Sequence, residues 1–296
     1  ACYRAIGICV YDISDRIQFE SWFENQLVPV QTRPKTDDIG HIVLKARAVW
    51  LIGQFVGQLS RQLRQSVYAI LIPLMSFIHQ DTVVALTAAK AMQMLVEDLG
   101  FYGTDFAQYL SPCLSSTFDM SELCENVETK RDLLAFAATM IDRSPVSSIL
   151  PLLEPMAKAL PAMWLRASDV KSLPVTSGHD DNWDLSGTDG RENLFRTAVV
   201  LLLTAIVRKL GPHAVCNPSM RELLLRVIEY GTDVSGSNTG GIFMLEEACE
   251  LWDNVICAAD VYSADLSNLY PRVHEILGHD FDNLKVMFRI LEGYAL

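Results

Sequence analysis

An all-α superhelix of stacked helix pairs is the fold this sequence predicts, on three observations. Apolar residues recur at helical spacing along most of the 296 residues. Period-two alternation is scarce, so no sheet is expected. The helical segments also return at a nearly constant interval, which is how repeat architectures show themselves in sequence.

The elements follow in order. Two segments, 2–10 and 16–28, open the chain, the second ending at Pro29. After a polar linker with Pro34 and Gly40, helices are expected at 44–59 and 63–79. In the first, Leu44, Ala48, Leu51, Phe55 and Leu59 lie on one stripe. The next pair is 83–99 and 105–115, separated by Gly100 and Gly103. Here Val84, Ala88, Ala91, Leu95 and Leu99 form the apolar face and Asp81 is placed as N-cap. The pair 129–142 and 146–160 hinges at Ser144-Pro145. Helices resume at 193–210 and 219–230, then at 241–260 and 266–278, and residues 282–296 open another.

First helices thus begin near 44, 83, 129, 193, 241 and 282, at steps of 39, 46, 64, 48 and 41 residues. The long step contains an irregular stretch, 168–192. A period of roughly 40–47 residues is the mark of HEAT or armadillo repeats. Each pair covers its apolar face only by stacking on its neighbours. The expectation is one HEAT/ARM-like solenoid segment over 1–296, with about six helix pairs and an acidic irregular insertion at 168–192. Within the 83–99 helix, Asp81, Val84, Ala88, Ala89 and Ala91 follow the HEAT pattern. Its usual arginine is replaced by Ala85.

Composition excludes several classes. Half the residues are hydrophobic, 20% are charged and mean hydropathy is +0.20, which is incompatible with a disordered chain. The longest apolar run, Ala198–Val207, is too short to span a bilayer. No signal peptide is visible, and the chain opens at Ala1 in what reads as mid-element, as a fragment would. A net charge of −12 disfavours nucleic acid and favours basic partners. Seven cysteines, odd in number and without a C-x-x-C, read as reduced core thiols.

No catalytic constellation stands out, and no enzyme, cofactor or metal is expected. The dipeptides His179-Asp180 and His279-Asp280 are the only features suggesting a helical metal-dependent hydrolase. The loop from Asp180 begins like a calcium site, with Asp180, Asn182 and Asp184, but Leu185 occupies the glycine position and Arg191 the closing glutamate. Gly231–Gly241 lacks the Gly-Lys-Ser/Thr of a phosphate loop. The candidate partner contacts are Asp180, Asp181, Asp184 and Asp189, chosen for charge, and Trp183, an aromatic anchor in a polar segment. Trp50 and Trp252 lie within apolar helices and read as core.

Three segments together carry a family resemblance: FESWFENQLVP at Phe19–Pro29, RAVWLIGQ at Arg47–Gln54, and HQDTVVALTAAKAMQMLVEDLGFYGTDFAQYL within Phe77–Leu110. They resemble the central repeats of the importin-β (karyopherin-β) family, most closely its importin-eleven group, over about 19–110. The resemblance implies a middle segment of a nuclear transport receptor that moves between cytoplasm and nucleus. It implies protein cargo on a concave face made by the second helix of each pair, and phenylalanine-glycine nucleoporins in slots between first helices. Ran in its GTP form would bind the full-length protein at its N-terminal repeats. Trp22, Phe23, Trp50, Leu51, Ile52, Gly53 and Gln54 match the family pattern as packing residues. Gly53 is implied to allow close helix contact, and Gln54 to cap or bridge repeats. A HEAT scaffold without transport partners is the alternative.

Overall fold

The computed structural model describes residues 2–32, 39–76, 78–166, 188–235, 239–261, 263–279 and 282–295. Among them there is helix and no strand. They form two compact units: residues 1–123 with 143–145, and residues 124–142 with 146–296.

In the first unit the principal helices are α1 (Cys2–Ile8), α2 (Ile39–Gln54), α3 (Arg61–Met75), α4 (Thr82–Glu97) and α5 (Gly103–Leu123). Between α1 and α2, helix runs on from Phe19 through a π-type turn at Phe23–Leu27 into Val28–Thr32. The break expected at Pro29 is therefore absent. Pro29 stands in the first turn of the continuing segment, where a missing N–H costs little. The α4 stripe is buried at Val84, Ala88, Ala91 and Leu95, but Leu99 is 97% exposed. The helix stops at Glu97, and Asp98 turns to extended backbone. At the other end Asp81 caps the helix as expected, its Oδ1 accepting from the Val84 N–H at 3.1 Å. On α2, Ala48 and Leu51 are buried and Leu44 is exposed, while Phe55 and Leu59, which lie beyond the end of α2, are also buried.

The pairing of helices differs from the sequence expectation. The helix α3 lies along α4, not along α2, while α2 packs against α4 and α3 against α5. The hairpin is thus α3/α4, with α2 and α4 in one row and α3 and α5 in the other. Gly53 makes the α2–α4 contact possible. A Cβ there would stand 3.2 Å from the Ala91 Cα, and the adjacent Gln54 reaches Met94 Sδ at 3.9 Å. Across the hairpin, Arg64 of α3 pairs with Asp98 just beyond α4. A Cβ on Gly103 would collide with the Arg143 carbonyl, so glycine lets the 143–145 strand of chain lie against the start of α5.

The second unit contains α6 (Val127–Arg143, ending in the first unit), α7 (Leu153–Arg166), α8 (Thr188–Leu210), α9 (Pro218–Gly231), α10 (Leu245–Ala258), α11 (Pro271–His279) and α12 (Leu284–Ala295). Here too the hairpins are α7/α8, α9/α10 and α11/α12. The helices α8, α10 and α12 stack in one row, and α7 packs on α9. The phase shift is therefore the same in both units. Trp252 and Phe55 are core, as expected, and so is Trp164, whereas Trp50 is half-buried against Gly7. The cysteines are free, with Cys113, Cys124 and Cys249 buried. Cys2, Cys9, Cys216 and Cys257 are exposed and so are not core thiols.

Candidate partner-binding site

Asp180, Asp181, Trp183 and Asp184 lie outside the described residues, as does His179. Asp189 falls in the first turn of α8. The described structure shows what holds the two ends of this segment. Helix begins at Thr188, so the last five residues assigned to the insertion are helical. Glu192, counted with the acidic loop, is instead buried and pairs with Arg196 at 2.6 Å, one turn on.

Arg196 is the centre of this anchor. Its guanidinium carbon lies 4.4 Å from the Tyr230 ring centroid and 5.4 Å from that of Trp164. The two rings meet edge to face at 5.4 Å and 86°. Arg196 also hydrogen-bonds the Tyr230 hydroxyl. A planar, weakly hydrated cation suits this setting, because its faces take ring contacts while its edge takes a carboxylate. Trp164 is near the end of α7, Glu192 and Arg196 are in the opening turns of α8, and Tyr230 is near the end of α9. The acidic segment therefore leaves and rejoins the unit at one cluster.

Charge is divided unevenly. The first unit has 10 basic and 12 acidic residues; the second has 14 and 24. Nearly all of the net −12 is carried by the second unit. Besides the 167–187 segment, α10 presents Glu246 and Glu250 to solvent with Glu247 half-buried beside them. One turn beyond Glu250, α10 carries the buried Asp253, whose carboxyl is pushed up by burial although Arg289 of α12 lies at 2.6 Å. In the first unit the outward surface of α2 is different, with Ile39, Val43 and Leu44 exposed and Arg47 over the Trp50 ring at 5.8 Å.

Nothing in the described geometry assembles a reacting centre. The Cys249 thiol is pushed up to about 12 by burial, and burial drives Cys113 further in the same direction, so neither supplies a thiolate at neutral pH. No group of three or more His, Cys, Asp or Glu could hold a metal ion among the described residues. His279 ends α11, and Asp280 lies outside the described residues. No described helix is long and apolar enough to cross a membrane. The Arg196 cluster is not among the sequence expectations, although Glu192 and Arg196 stand at i,i+4, a spacing that favours an ion pair on one helix.

A family profile described as "Importin-11-like, TPR repeats" matches residues 197–296. The chain is 25% identical to importin-11 of Homo sapiens over 299 residues, covering 99% of this chain and 27% of that protein. Importin-11 of Mus musculus is 25% identical over 295 residues, with the same coverage. The solved structure of Lph2, titled a bidirectional nuclear transport receptor in S. cerevisiae, superposes with a TM-score of 0.81 at 16% identity. It covers 99% of this chain and 27% of that one. The likeness shows a shared all-α repeat fold. The chain spans about a quarter of the length of the relatives it matches.

Proposed function

We propose that this chain, importin-11-like and with similarities that support the importin-β family, is a segment of a nuclear transport receptor that carries basic protein cargo between cytoplasm and nucleus. The observation that carries the reading is similarity to importin-11 along 99% of the chain. The cargo class rests on charge. Second helices are the cargo-facing ones in the family that the sequence resembles, and with the pairing seen here they are α4, α8, α10 and α12. The acidic segment enters α8, and Glu246 and Glu250 stand on α10, so a basic ligand meets its complement in the second unit. Asp180, Asp181, Trp183, Asp184 and Asp189 remain the proposed contacts within the acidic segment. Ran in its GTP form and phenylalanine-glycine nucleoporins are the partners proposed for the full-length protein. The chain's own part is non-enzymatic and needs no cofactor.

The test is affinity capture on the full-length protein with and without GTP-locked Ran. A bound protein whose release or retention depends on Ran supports the receptor reading. Capture indifferent to Ran would leave a protein scaffold of the same fold.

A further inference from the structure

We propose that the last turn of α3 and the C-terminal half of α5 bend together as one body, about a seam through Pro73 and Pro112.

Interior prolines occur in α3 (Pro73), α5 (Pro112) and α7 (Pro161), while α2, α4, α8, α10 and α12 contain none. Proline cannot donate a backbone hydrogen bond, and its ring crowds the carbonyl one turn before. Ala69 and Gln108 therefore lose the donor that residue i+4 supplies in an unbroken helix. Pro73 and Pro112 are both exposed. The loosened rung is thus on the solvent side of each helix, where no packed side chain braces it.

The two weak points stand side by side. Met75 Sδ accepts from Cys113 Sγ at 3.9 Å, and the Ser76 and Ser116 hydroxyls are 3.0 Å apart. These partners are 38 and 40 residues apart, and Pro73 and Pro112 are 39 apart. The contacts tie the last turn of α3 to the half of α5 after Pro112. Before the prolines, a different set joins the helices: Arg61 Nη2 on Asp105 Oδ1 at 2.7 Å, and Tyr68 against Phe106 and Tyr109 at ring distances of 5.1 and 5.5 Å. Each side of the seam is internally tied, and the covalent helices between them are weakened at the same level. The neighbouring α4 is uninterrupted and capped at Asp81, so the compliance belongs to the α3–α5 row. The inference does not depend on what the chain binds.

Amide hydrogen exchange on the whole chain tests it, with circular dichroism confirming fold. Pro112→Ala restores the missing rung in α5. It is expected to slow exchange about tenfold at residues 113–120 and also at 74–76 of α3, which is unaltered in sequence. Adding Ser116→Ala removes one tie, and the slowing at 74–76 shrinks while that in α5 persists. Should Pro112→Ala not fold, Pro73→Ala read at 113–116 asks the same question in reverse. Slowing confined to the substituted helix, or no slowing in either, overturns the proposal.

Discussion

Tyr68 shows how one buried group turns fold into pH dependence. Its ring packs on Phe106 and Tyr109, and burial raises the hydroxyl from an ordinary 10 to about 12, with nearby Arg64 opposing the shift. The folded chain keeps this proton more tightly than the unfolded chain does. Its contribution to stability is complete below pH ~10 and is lost as pH rises toward 12. At ~1.4 kcal/mol per pH unit the loss approaches about 3 kcal/mol at full ionisation. Cys249, also raised to about 12, adds a decline that starts lower, near the ordinary thiol range. Urea unfolding at several pH values is expected to show the fall, and Tyr68→Phe to remove the portion above pH 10. An unchanged alkaline slope in that variant would mean the hydroxyl keeps its ordinary acidity.

At the scale of elements, caps and row contacts do more than helix propensity. Asp81 supplies the α4 N-cap, and its charge also sits near Lys45, whose ammonium is pushed down mainly by desolvation. Asp81→Ala is expected to cost about 1 kcal/mol, and Asp81→Asn much less because the amide oxygen still caps. Denaturant midpoints of the three proteins decide this, and equal midpoints would deny the cap any energetic role. The helix ends themselves were only partly legible. Asp81 shows its capping role in the sequence, and the family resemblance implies the close contact at Gly53. Pro29 reads as a break and the 146–160 helix as ending before Pro161, yet helix continues through both, because packing on the buried face holds what local geometry disfavours.

For the whole chain the governing quantity is where charge resides. The second unit has ten more acidic than basic residues, the first only two. Binding of a lysine-rich peptide is expected to weaken by about tenfold or more between ~0.05 and ~0.2 M salt, chiefly through the association rate. Replacing Asp180, Asp181, Asp184 and Asp189 by asparagine is expected to flatten that dependence. A salt-insensitive affinity, or an unchanged slope in the variant, would assign recognition to apolar contacts such as those exposed on α2.

All-helical structure, the interval between helices and most of the core were legible in the amino-acid order, because a 3.6-residue apolar period and capping chemistry are local properties. Which helix partners which was not. A repeat distance has no phase: α3 stands one connection from both α2 and α4, and the same steps describe either hairpin. Packing chose α4, through contacts such as Arg64–Asp98 that join residues 34 apart. The same is true of Glu192, acidic and loop-like in sequence but buried and paired with Arg196, which lies over the Trp164 and Tyr230 rings. Its role depends on residues brought from three helices, and only the folded chain assembles them.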